Sequence, residues 1–142
     1  MTLDQLICLA ESHGITISWT HLHTRAAYHH KTRTIYLDHA LNTRPRHATA
    51  ILAHEYIHAL MGHTGPQDAH TERLVDLRAA QLLVSPAEYA LAEQLHDANP
   101  HAIADELNLP LWVITAYREH LAASTLQQQA IALMAGEKVA QK

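Results

Sequence analysis

The sequence predicts an α+β fold. A small three-stranded sheet follows an N-terminal helix, an HExxH helix packs on an antiparallel partner helix, and a C-terminal helical segment has helix-turn-helix-like spacing. Three observations predict it. Short runs that alternate apolar with polar residues are confined to the stretch from Ile15 to Asp38. Most of the remainder carries apolar residues every three to four positions. Proline, glycine and capping residues punctuate the joints.

The elements follow in order. Leu3, Leu6, Ile7, Leu9 and Ala10 share one side of a short helix that ends at Gly14, and Cys8 reads as a small buried hydrophobe on it. Ile15–Thr20, Ala26–His30 and Arg33–Asp38 are strands, and His30-Lys31-Thr32 is short enough to make a hairpin of the last two. Thr43 caps a helix from Pro45 to about Gly62, with the proline in its first turn. After the break Gly62–Pro66, a helix runs from about Gln67 to Val84, and Ser85 caps the next, over Pro86–His96. Helices over His101–Leu107 and Pro110–Ala123 flank Asn108-Leu109, and a last segment, Leu126–Val139, is expected to fray into Glu137–Lys142.

Composition excludes several classes. Ten Lys/Arg against fourteen Asp/Glu leave a net charge of -4, so no excess of cation exists for binding a phosphate backbone. One cysteine cannot form an internal disulfide, which argues for a reducing compartment. No apolar run reaches the ~18 residues of a membrane span, and MTLDQLICLAESHG, with Asp4 and no basic flank, does not read as a signal peptide. A cytoplasmic protein is expected. Fourteen histidines stand out, and their placement matters more than their number.

The decisive stretch is ILAHEYIHAL, which contains HExxH. Four residues along a helix is ~6 Å of rise and about 40° of turn, so His54 and His58 project from one face and can reach one tetrahedral zinc. Glu55 lies beside them, where it can hold and deprotonate a water at the metal without being a ligand. In so histidine-rich a chain the motif arises by accident at about the 8% level, so context carries the weight. The stretch is free of proline and glycine, and its intervening positions are uncharged. If the chain reverses at Gly62–Pro66, the next helix can bring Glu72 as a third ligand. Asp76, one turn on, can then accept the Nδ1–H of a zinc histidine. Otherwise both acids are solvated partners of Arg73 and Arg78. His63 and His70 are rival third ligands; Glu72 is preferred because His70 has Leu74, not an acid, one turn on. Three protein ligands with a fourth place open is the catalytic pattern.

HEYIH followed by Glu72 and Asp76 is similar to the gluzincin arrangement of HExxH plus ExxxD. More narrowly, ERLVDLRAAQLLVSP resembles the stretch after HExxH in the ImmA/IrrE family of metallopeptidases, and the likeness spans roughly residues 3–121. The resemblance implies His54, His58 and Glu72 as ligands of one Zn2+ per chain, Glu55 as general base and Asp76 as outer support. Length and the order of elements predict a single domain over 1–142, with a catalytic core at 1–97 and a helical segment at 98–142. The resemblance also implies the substrate class, a helix-turn-helix repressor of a phage, mobile element or stress response. Leu74 and Arg78 depart from the family, which more often has an acid and an aromatic there.

Tyr28, His29, His30, His63 and Tyr89 are candidate donors to a developing oxyanion, and Arg33–Asp38 is a candidate strand for pairing with an extended substrate. The Ile103–Leu121 stretch has the spacing of a DNA-reading module, but Arg118 is the one cation of its second helix, and Trp112, Val113, Ala116 and Tyr117 read as core. The alternatives to a zinc endopeptidase are a zinc-holding protein that binds a repressor without cutting it, and a DNA-binding regulator.

Overall fold

The structure, a computed structural model, describes residues 1–140 of the backbone and the side chains of residues 1–136. Helix α1 (Leu3–Ser12) opens on a capping box: Thr2 Oγ1 accepts from the Gln5 amide while Gln5 Oε1 accepts from the Thr2 amide. Its buried face is Leu6 and Ala10. Cys8 is exposed, contrary to expectation, because two residues from Leu6 is about 200° of helix turn. Gly14, at φ +76°, turns the chain into the sheet.

Strands β1 (Thr16–Thr20), β2 (Ala26–His29) and β3 (Thr34–Asp38) form one sheet in the order β1-β3-β2. β2 and β3 pair antiparallel as the expected hairpin, and β1 runs parallel to β3. β3 is therefore central, with Ile35 and Leu37 fully buried, and both its edges are taken. This overturns β3 as the strand to which a substrate adds; the open edges belong to β1 and β2. Arg33 is not in the strand. It takes the left-handed conformation (φ 49°) at the hairpin turn, and its guanidinium donates to the His13 and Gly14 carbonyls.

A short 3-10 turn (His39–Thr43) leads into α2 (Pro45–Leu60). Thr43 is not the cap: Arg44 holds that position without a side-chain bond, and the Thr43 hydroxyl donates to the Ala40 carbonyl. Pro45 stands in the first turn as expected. α2 is buried on most of its circumference, from Ala48 to Ala59, because α1, the sheet and α3 (Ala69–Leu83) cover it. Asp68 caps α3 by accepting from the Thr71 amide at 2.7 Å, and Ser85 caps α4 (Pro86–Leu95).

α5 (Pro100–Leu107) ends on Asn108 in the left-handed conformation, and α6 (Leu111–Ala140) follows. The two helical segments expected over Pro110–Ala123 and Leu126–Val139 are one helix. Glu137–Lys142, the stretch expected to fray, lies outside the described side chains, and residues 141 and 142 lie outside the described backbone. One core joins Leu6, Ile35, Leu52 and Val75 to Ile103, Val113 and Ile114, so it crosses the joint near residue 97. No described helix is long and apolar enough to cross a membrane.

Candidate metal centre

α2 and α3 lie side by side, joined by the reversal at residues 61–68, and the HExxH face of α2 meets the first two turns of α3. His54 Nε2 and His58 Nε2 are 3.1 Å apart. Glu72 Oε2 stands 3.3 Å from the first and 3.1 Å from the second. A tetrahedral ion bonded at ~2.0–2.1 Å holds its ligand atoms about 3.3–3.4 Å apart, so the triangle already has nearly the required size. This His–His–Glu group can hold a metal ion.

The ring nitrogens on the far side are also engaged. His54 Nδ1 lies 2.9 Å from Asp76 Oδ1, the contact expected of an outer carboxylate that fixes a histidine tautomer. Glu72 and Asp76 pair with α2 histidines rather than with Arg73 or Arg78. Burial disfavours a charged His54, but the Asp76 hydrogen bond and the charges of Glu55, Asp76 and Glu72 outweigh it. The imidazole pKa stands above its ordinary value. Burial also lifts the Glu55 carboxyl above the usual carboxylate range; His54 and His58 pull against that rise, and Glu72 adds to it.

Glu55 lines two cavities that flank the group. One, of about 490 Å³, is walled by Ala26, Tyr28, His63 and Thr64. The other, of about 410 Å³, is walled by Arg25, Ala26, Ile51 and Trp112. Trp112 of α6 stands edge-on to His54, ring centroids 6.0 Å apart, so the C-terminal segment supplies part of the cleft and Trp112 is not simply core. Val113, Ala116 and Tyr117 are buried as expected.

The chain matches no known family model and no curated protein to a significant degree. The geometry therefore stands by itself.

His70 is exposed and outside the ligand group. His63 is outside it too, but its Nδ1 is 2.8 Å from His58 Nδ1, a contact that spacing along a helix does not suggest. Among the candidate oxyanion donors, only Tyr28 and His63 line the cleft. His29 bonds Thr32 at the hairpin turn, His30 meets the Tyr28 ring edge-on, and Tyr89 is buried against Tyr117. Arg118, the one cation of the DNA-reading alternative, donates to the Ala98 carbonyl at 2.8 Å.

Proposed function

We propose that this protein is a zinc-dependent endopeptidase acting in the cytoplasm on a regulatory protein, of the helix-turn-helix repressor class that the ImmA/IrrE resemblance implies. The observation that carries the reading is the triangle of His54 Nε2, His58 Nε2 and Glu72 Oε2 with Glu55 beside it in an open cleft. Two imidazoles and one carboxylate, with a place left open, is a donor set of catalytic zinc. Other divalent ions accept the same donors, so metal content decides between them.

When bound, the ion supplies Lewis acidity, polarising a carbonyl oxygen and acidifying water. The other steps fall to the chain. Glu55 accepts a proton from the attacking water and then delivers it to the leaving amine nitrogen. Its raised pKa suits the first task, since a carboxyl that is harder to ionise is the stronger base. Asp76 holds His54 in the tautomer whose Nε2 lone pair faces the ligand group.

The substrate backbone is held by β2 rather than β3. The Asp38 amide donates to the Arg25 carbonyl, so in antiparallel alternation Arg25 and Ala27 face β3. The backbone groups of Ala26 and Tyr28 then lie on the open edge, beside the cleft. An extended peptide can add there as a fourth strand.

Metal analysis by mass spectrometry tests the reading. The native chain and Glu55→Gln are expected to carry about one zinc each, and His54→Ala, His58→Ala and Glu72→Ala to lose it. Glu55→Gln is expected to lose cleavage of a repressor substrate by at least ~10². Cleavage that survives Glu55→Gln overturns the assignment of the base; an effect on the partner without any cleavage leaves a binding protein.

A further inference from the structure

We infer that His63 is a positioning residue of the metal centre: its Nδ1 accepts a hydrogen bond from His58 Nδ1 and fixes the ring that presents Nε2 to the ion. The inference rests on the metal-binding reading above and assigns a residue that the HExxH pattern does not contain.

The two Nδ1 atoms are 2.8 Å apart, so one proton lies between them. Its owner follows from the other side of the ring. His58 Nε2 faces His54 Nε2 and Glu72 Oε2, both at 3.1 Å. A coordinating nitrogen offers its lone pair, and a neutral imidazole carries one N–H, so the His58 proton is on Nδ1. His63 must then accept at Nδ1 and carry its own proton on Nε2. The opposite assignment would put the His58 proton on Nε2, among the three ligand atoms, and close the site to a cation. His54 and His58 are thus matched: each donates from Nδ1, one to a carboxylate and the other to a neutral imidazole.

The backbone explains how residue 63 comes to be there. On a continued helix, five residues is about 140° of turn, and His63 would point away from His58. Instead α2 ends in a Schellman motif. The Gly62 amide donates to the Ala59 carbonyl and the His63 amide to the His58 carbonyl, at 3.2 and 3.1 Å. Gly62 has φ +74°, a conformation that favours glycine. The reversal places the His63 ring against His58, ring centroids 5.1 Å apart and planes at 63°. His63 is therefore tied to His58 twice, through the backbone and through the ring.

Two measurements on the full chain test this, with Zn2+ as the probe. In the zinc-loaded native protein, nitrogen-15 spectra of the imidazoles are expected to show the His58 proton on Nδ1, with a coupling across the hydrogen bond to His63 Nδ1. A proton on His58 Nε2, or no coupling, overturns the inference. Chelator competition is expected to show zinc affinity falling ~10–100-fold in His63→Ala. His63→Asn places an amide oxygen where Nδ1 was and should restore most of the loss. His63→Gln, whose oxygen reaches the Nε2 position, should not. Native affinity in His63→Ala overturns the inference and leaves the metal centre standing. A native chain that takes up no zinc overturns both.

Discussion

Burial and the near-by Glu72 charge disfavour an ionised Glu55 carboxyl, and His54 stands next to three acids. In the metal-free protein these two groups set a pH dependence whose sign is fixed. The folded pKa of Glu55 lies above its unfolded value of 4.5, so the folded state binds more protons there. Its contribution is fully present below pH 4.5 and is lost as pH rises through the folded value. His54, also raised, contributes fully below its unfolded value of 6.5 and loses that contribution as pH rises through its folded value. Glu55→Gln is thus expected to stabilise the metal-free chain at neutral pH, with the advantage over native shrinking as pH falls through the folded value of Glu55 and gone below pH 4.5. Urea unfolding of chelator-treated protein at several pH values measures it, and equal pH slopes for the two proteins would refute it. HExxH identified His54, Glu55 and His58 from local sequence, because four residues of helix is nearly a full turn. Glu72 and Asp76 could be named because the chain breaks at Gly62–Pro66 and must return. His63 could be weighed as a ligand but not as a partner of His58, since only the cap geometry brings it back.

Among the elements, β2 has the largest bearing on the proposed function. Its four residues, Ala26–His29, form an edge of the sheet beside the cleft, and an edge strand tolerates proline where its N–H points outward. Tyr28→Pro removes one outward donor. It is expected to weaken peptide cleavage by several-fold to tenfold relative to Tyr28→Ala, the control for loss of the ring, with zinc content unchanged. Equal turnover in the two variants would exclude strand addition at this edge. β1 and β3 were legible from alternation, and β2 as a short run joined to β3 by a short turn. The sheet order was not, because the pairing of β1 with β3 depends on a crossover and not on neighbouring residues. α6 shows a similar limit. Local pattern divides it near Ser124, while the backbone continues as one helix to Ala140.

For the whole molecule, the core decides how independent the parts are. Ile103, Val113 and Ile114 are fully buried in the same cluster as Leu52 and Val75, so the C-terminal segment up to Tyr117 belongs to the body that carries His54, His58 and Glu72. Farther along α6, Leu126 is 66% and Leu133 71% exposed. Ile114→Ala is expected to cost ~2–5 kcal/mol, through lost burial and the cavity left behind. Leu126→Ala and Leu133→Ala should stay within ~0.5 kcal/mol. Denaturant unfolding, followed by far-ultraviolet dichroism and by tryptophan fluorescence, should give one coincident transition; two transitions would mean that residues 98–142 fold apart from the rest. By itself, the sequence determined the α+β class, the helix and strand types and the three HExxH side chains, all of which follow from spacing within a single element. Tertiary structure alone decided that β3 is central, that Trp112 faces His54 and that His63 backs His58. Each of these depends on how separate elements, or the two sides of a chain reversal, meet in space, and residue periodicity carries no record of that.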